Sequence, residues 1–393
     1  MERFIFEDEH EMFRDSARSF MQNEIGPHSD RWHEQGIVDR DAFLKAGEMG
    51  FLLMWADEKY GGAGVPDFRY EQILIEENAH HGDAGFFMTL HSRLVGPYIG
   101  TFGTDEQKAR WLPKCITGEH ILAVAITEPG AGSDVAGIRT RAEDKGEHYL
   151  LNGSKTFISN GINADLVVVV ARTDPANPRG LSLFVVERGM DGFERGKNLR
   201  KMGLKSQDTA ELFFNNVRVP KDNLLGEKNR GFYHLMHALA EERLLGACGY
   251  LASAEAAFNL TIDYVRERKA FGQAVADFQN TRFRLADMKT EIDVGYAFID
   301  RCVESHNRGR LSAEDAAKAK LWTSELEGRV TDEGVQLHGG NGYMDEYKIS
   351  RLYTNARVSR IYAGSSEIMR EIIARSLGLD PRRKGRSGRA DAA

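Results

Sequence analysis

Eight of the nine prolines in this 393-residue chain lie at or before Pro220 and the ninth is Pro381, so residues 221 to 380 run without one. A proline inside a helix removes a hydrogen bond and clashes with the preceding turn; its absence over such a span permits unusually long helices. Apolar residues recur at helical spacing in "ERLLGACGYLASAEAAFNLTIDYVRERKAFG" and in "AKAKLWTSELEGRVTDEGVQLHGG", the second stopped by glycine as a helix C-terminus commonly is. A C-terminal helical bundle is expected over 231–380.

The preceding stretch has another texture. "ADLVVVVAR", "GLSLFVVERG" and "AELFFNNVRVP" are short β-rich runs between turn residues, and "EHYLLNGSKTFIS" carries Asn152-Gly153, read as a turn between two strands. Residues 121–230 are therefore expected to form a middle β domain. Helical spacing returns in the first 120 residues, as in "DAFLKAGEMGFLLMW" and "FRYEQILIEENAHH", giving an N-terminal α-helical domain over 1–120. The whole is mainly α with a central β domain, and the order helices, strands, helices lacks the βαβ alternation of a doubly wound sheet. The last segment, 381–393, is basic and polar and reads as a disordered, solvated tail.

Composition narrows the function classes. With 41% hydrophobic and 28% charged residues the chain suits a soluble enzyme, and a formal charge of −7 argues against a nucleic-acid binder. Three widely spaced cysteines provide neither a disulfide framework nor a paired-cysteine metal site. No histidine has metal-ligand spacing with a carboxylate, so no metal is expected. The start is acidic and amphipathic, and no run of about 18 apolar residues occurs. A cytoplasmic protein without stable membrane insertion is the expectation.

Neither the Rossmann glycine fingerprint nor a P-loop is present. Two other glycine-rich segments could bring backbone N–H groups close to an anion: "AITEPGAGSDVAG" (125–137) and "QLHGGNGYMDEYKISRLYTN" (336–355). Thr127 and Ser133 add hydroxyls to the first, while Glu128 and Asp134 make it a poor trap for bare phosphate.

One helix carries charge where apolar residues dominate, "ALAEERLLGA" (238–247). At about 100° per residue, Glu242 lies about 20° from Leu235 on the apolar face and Glu241 about 120° away, on a flank beside His234 and Cys248. Gly246 and Gly249 share the face of Glu242 and suggest open space there. From periodicity alone, Glu242 is equally a carboxylate facing a cavity and half of a structural ion pair with Arg243.

Both glycine-rich segments resemble signatures of the flavin-dependent acyl-CoA dehydrogenases. "FIS" (157–159), "MGLKSQDTAELFF" (202–214), "RKAFG" (268–272) and "IYAGSSEIMREIIAR" (361–375) extend the resemblance over nearly the whole chain. The long-chain type is nearest and the isovaleryl type second. The resemblance implies a β-barrel-like middle domain, a C-terminal four-helix bundle, FAD as cofactor and a homotetramer built as a dimer of dimers. It implies that Thr127 and Ser133 contact the flavin and that Phe157, Ile158 and Ser159 line its other side. Arg268, Phe271, Gln279, Gln336, Gly339 and Gly340 would hold the pyrophosphate and adenosine, in part from a neighbouring subunit, with Ser365 and Glu367 also in the cofactor set.

The implied reaction is α,β-dehydrogenation of a medium- to long-chain acyl-CoA, with electrons passed to electron-transfer flavoprotein. A short branched substrate, or oxygen as acceptor, are the alternatives. Medium-chain members place the base in a tyrosine-glutamate-glycine sequence, where this chain has Ala363 in "YAGSS". The long-chain and isovaleryl types place it immediately before an Arg-Leu, as Glu242 stands before Arg243-Leu244. The resemblance thus assigns the base to Glu242 and substrate contacts to Ser133, Tyr233, Arg243, Ala363 and Gly364. Gly82, Ala84 and Gly85 would leave room for the acyl chain.

Overall fold

A computed structural model describes residues 1–379; the basic segment 381–393 lies outside the described residues. Six helices come first: α1 (Asp8–Phe20), α2 (Ser29–Gln35), α3 (Asp41–Glu48), α4 (Phe68–His81), α5 (Gly96–Phe102) and α6 (Asp105–Ile116). α6 begins at a capping box in which the Thr104 hydroxyl accepts the Gln107 N–H and the Gln107 side chain accepts the Thr104 N–H. α3 is shorter than its apolar pattern suggests, because the chain turns at Gly50, whose φ is +72°.

Eight strands form one mixed sheet: β1 (Leu122–Ala125), β2 (Arg141–Asp144), β3 (His148–Ser159), β4 (Leu166–Arg172), β5 (Leu181–Glu187), β6 (Phe193–Asn198), β7 (Thr209–Pro220) and β8 (Leu224–Leu225). Their order is β6-β7-β3-β2-β4-β5-β8, with β1 parallel to β4. The continuous apolar runs of β4 and β5 follow from this layering. Leu166, Val168, Val170, Leu183 and Val185 join the core shared with the N-terminal helices, while Val167, Val169, Phe184 and Val186 fill the core on the other face. A strand buried on both faces has no polar side to alternate with.

Asn152-Gly153 is not a turn between two strands. β3 passes straight through it, with a register shift against β7 between Leu151 and Gly153. A Cβ at Gly153 would sit 2.5 Å from the Thr140 Oγ1, so glycine is required by a bulge that presses on the neighbouring chain.

The proline-free span forms the helical bundle: α7 (Gly231–Glu267), a small hairpin of β9 (Lys269–Ala270) and β10 (Gln273–Ala274), α8 (Gln279–Asn307), α9 (Ala313–His338), α10 (Lys348–Ala356) and α11 (Ser366–Ser376). α7 alone is about 55 Å long at 1.5 Å per residue. Its apolar residues Leu244, Ala247, Leu251, Ala254 and Phe258 share a core with Ile292 and Ile299 of α8 and with Ala319 and Leu326 of α9. α9 stops at Gly339, which takes φ +60°. No helix among the described residues is long and apolar enough to cross a membrane.

Candidate active site

Glu242 lies on α7 where the bundle meets the sheet, and it is 8% exposed. It lines two adjoining cavities, of about 610 Å³ and about 1270 Å³, whose shared walls include Thr127, Phe157, Ser159, Tyr362 and Ala363. The Tyr98 hydroxyl, from α5, donates a 2.8 Å hydrogen bond to the Glu242 Oε1. Burial pushes the carboxyl up to about 7, against the opposing pull of Tyr98 and Arg243. A carboxyl in that range can change protonation state near neutral pH, which suits a general base.

Glu242 faces both cavities. No hydrogen bond joins Glu242 to Arg243 among the described residues, and Arg243, 5% exposed, has an unpartnered Nε on the wall of the larger cavity. Glu241 lies on the other flank, as its phase requires. It takes a 2.5 Å hydrogen bond from the Arg93 Nε and lies 3.6 Å from the His306 Nε2. His234 instead packs against Phe102, and Cys248 belongs to the bundle core.

The loop after β1 is shaped by a buried ion pair. Glu128 accepts from the backbone N–H groups of Arg139 and Thr140 and from the Lys155 Nζ, at 2.7, 2.9 and 2.9 Å. Burial works against the charge, but Lys155 and these donors outweigh it and hold the carboxyl below its usual range. Glu128 is consumed in folding the loop, so it does not oppose an anion there as the sequence suggested. Thr127 and Ser133 remain on the larger cavity, and Cβ atoms at Gly130 and Gly132 would meet nothing within 4 Å.

At the end of β3 the Phe157 ring is 69% exposed on a backbone with φ +59°. Ser159 lines both cavities, and Ile158 is buried in the sheet core while contributing to the smaller one. Across from them, Ala363 and Gly364 have φ of +52° and +93°. Lys320, fully buried on α9, donates a 2.7 Å hydrogen bond to the Gly364 carbonyl and fixes that turn. The size of the larger cavity, the exposed Phe157 ring, the Thr127 and Ser133 hydroxyls and the open space at Gly132 together fit a flavin.

Other expected residues stand elsewhere. Tyr233 lines neither cavity; it is on the outer side of α7 under the Arg230 guanidinium, and Phe232 reaches the larger cavity instead. Ser365 caps α11 by accepting the Ile368 N–H, and Glu367 is exposed in its first turn; neither lines a cavity. Gly82 and Ala84 line the smaller cavity, but Gly85 does not: its Cβ would meet the Ser206 Oγ at 2.3 Å, so its smallness serves packing. At Gly246 the room is taken by the Tyr250 hydroxyl, 2.7 Å from where a Cβ would sit.

Arg268, Phe271, Gln279, Gln336, Gly339 and Gly340 are exposed and line neither cavity. They gather at the far end of the bundle, where Tyr264 of α7 stacks on His338 of α9 at 4.2 Å. Along α7, Arg268 is about 39 Å from Glu242. Tyr98 and Lys320 were not singled out from the sequence, because each meets its partner only through the fold.

Residues 7–119, 123–217 and 229–378 match, in turn, the acyl-CoA dehydrogenase N-terminal, middle and C-terminal domains. The chain is 48% identical over 383 residues to the mitochondrial long-chain specific acyl-CoA dehydrogenase of Mus musculus, covering 96% of this chain and 88% of that one. To the mitochondrial isovaleryl-CoA dehydrogenase of Pongo abelii it is 36% identical over 380 residues, covering 95% and 89%. A crystal structure of an acyl-CoA dehydrogenase from Geobacillus kaustophilus superimposes with a TM-score of 0.93 at 50% identity, covering 96% of this chain and 100% of that one.

Proposed function

The chain belongs to the acyl-CoA dehydrogenase family, FAD-dependent oxidoreductases, and on that footing we propose that it converts a medium- to long-chain acyl-CoA to the trans-2-enoyl-CoA and passes the electrons to electron-transfer flavoprotein. The observation that carries this reading is the position of Glu242: a buried carboxyl, oriented by Tyr98, on the wall common to both cavities.

In this reading Glu242 removes the α proton of the thioester. Bound FAD supplies the acceptor for the β hydrogen, which leaves as hydride. Thr127, Ser133, Phe157 and Ser159 would hold the flavin at the larger cavity, and Ile158, which lines only the smaller one, backs them from the sheet core. The Ala363 N–H, set by the turn that Lys320 supports, donates to the thioester oxygen, whose negative charge grows as the α proton leaves. Arg243 and Gly364 border the thioester end of the substrate.

The smaller cavity takes the acyl chain. On α7 it is lined by Glu242, Leu245, Gly249, Ser253 and Ala256, a stretch of about 21 Å. That length favours a medium or long chain over a four- or five-carbon one. The exposed set around Arg268 and Phe271 is too far from Glu242 to serve the same cofactor, so it completes the site of a second subunit in a homotetramer.

Four measurements test this. The purified protein should be yellow and release FAD on denaturation. Anaerobic addition of dodecanoyl-CoA should bleach the flavin, and kcat/KM across an acyl-CoA panel with electron-transfer flavoprotein as acceptor should peak at medium or long chains. A peak on a four- or five-carbon substrate overturns the chain-length assignment; stoichiometric hydrogen peroxide in air without added acceptor overturns the acceptor.

A further inference from the structure

The smaller cavity holds a second carboxyl that the dehydrogenation does not use. Glu327, on α9, is 4% exposed and lines this cavity together with Glu242. Its Oε2 has no hydrogen-bond partner among the described residues. Of the cations near it, Lys320 donates to the Gly364 carbonyl, and Arg360 lies 3.6 Å from Glu325 while its own Nε is buried without a hydrogen-bond partner among the described residues. Around it stand the hydroxyls of Ser253, Ser359, Tyr250 and Tyr362, all on the cavity wall.

The position of this polar pocket relative to the thioester follows from α7. Ser253 is eleven residues after Glu242, close to three full turns, so both face the same side about 16 Å apart along the axis. Between them on α7 the wall carries Leu245 and Gly249, with the Tyr250 hydroxyl beside Gly246. An acyl chain whose thioester lies at Glu242 and whose tail follows α7 therefore passes Leu245 and Gly249 before it meets Glu327 with its distal part. Ser253 and Ser359 hydrogen-bond the Glu327 carboxyl, but a purely hydrocarbon tail would leave its Oε2 buried without a partner, which is costly.

We propose that the substrate of this enzyme is an acyl-CoA bearing a hydroxyl group far from the thioester, and that Glu327 selects it by accepting that hydroxyl's hydrogen bond. The proposal rests on the reading of Glu242 as the base. A site built to bond a substrate hydroxyl discriminates strongly against the analogue that lacks it, because its own polar group is then left unsatisfied.

The test uses the FAD-loaded enzyme with decanoyl-, dodecanoyl- and tetradecanoyl-CoA and their ω-hydroxy counterparts. At the best chain length, kcat/KM for the hydroxylated substrate should exceed that for the plain one by at least about 10-fold. The ω-hydroxylated enoyl-CoA product should also bind more tightly by calorimetry. Glu327→Leu should bring the ratio to one or below. Preference for the plain substrate at every length, or an unchanged ratio in Glu327→Leu, overturns the proposal and leaves the dehydrogenase reading standing. Absence of flavin bleaching by any acyl-CoA overturns both. The wild-type comparison decides by itself if Glu327→Leu fails to fold.

Discussion

The Tyr98 phenol reaches from α5 to donate a 2.8 Å hydrogen bond to the Glu242 carboxylate on α7, so the N-terminal helices position the proposed base on the bundle. Tyr98 is 1% exposed, and its own ionisation is pushed well above the usual range by burial and by Glu242, so it remains a donor throughout the working pH range. The pair sets orientation and charge together: the hydrogen bond favours the carboxylate that burial disfavours.

Replacing Glu242 by Gln keeps size and shape but removes the proton acceptor. It should retain FAD and lower kcat by about 10²- to 10⁴-fold, the usual contribution of a general base. Glu241→Gln should leave kcat within a few fold, because Glu241 is bound to Arg93 and lines neither cavity. Stopped-flow flavin reduction separates the two; near-normal reduction in Glu242→Gln would place the base elsewhere.

The pH dependence follows from the same pair. The base must be ionised, so kcat/KM should rise with pH through an apparent value near 7. Tyr98→Phe deletes a hydrogen bond that favours the charged form. The rise should therefore move to higher pH, with the loss of activity largest on the acid side and recovering in alkali. A profile unchanged in midpoint but uniformly lowered would mean that Tyr98 acts only on orientation.

Phe271 is 97% exposed at φ +52°, a large apolar ring held out on a left-handed backbone. Such strain persists where a partner uses it. Phe271→Ser should weaken both FAD retention and subunit assembly, read by flavin absorbance and by light scattering, while the monomer fold seen by circular dichroism survives. Retention of full flavin and native mass would remove this end of the bundle from the shared site.

Much of this arrangement was legible because it depends on local rules. The proline-free span became long helices, and the phase of Glu242 on α7 matched its buried face since one period governs the whole helix. What was not legible depends on contacts distant in sequence. Tyr98 and Glu242 are 144 residues apart, and Lys320 and Gly364 are 44 apart. The glycines misled for a related reason. At Gly153, Gly85 and Gly246 the absent side chain makes way for Thr140, Ser206 and Tyr250, none of which a turn or cavity reading takes into account.

A last consequence concerns stability. Glu71, fully buried on α4 beside the Arg93–Glu241 pair, is pushed by burial up to about 8, and its Oε1 has no partner among the described residues. In the unfolded chain the same carboxyl titrates near 4.5. Between those values the folded protein holds a proton at Glu71 that the unfolded chain has released, so the contribution of Glu71 to folding stability falls as pH rises from about 4.5 to about 8 and changes no further above it. Glu71→Gln mimics the protonated form at every pH and removes this contribution. The variant should match wild type near pH 4.5 and be more stable at pH 8, by at most a few kcal/mol. Urea unfolding of both proteins at the two pH values checks the sign. A variant less stable than wild type at pH 8 would show that Glu71 is ionised in the fold and holds Arg93 as a charged partner.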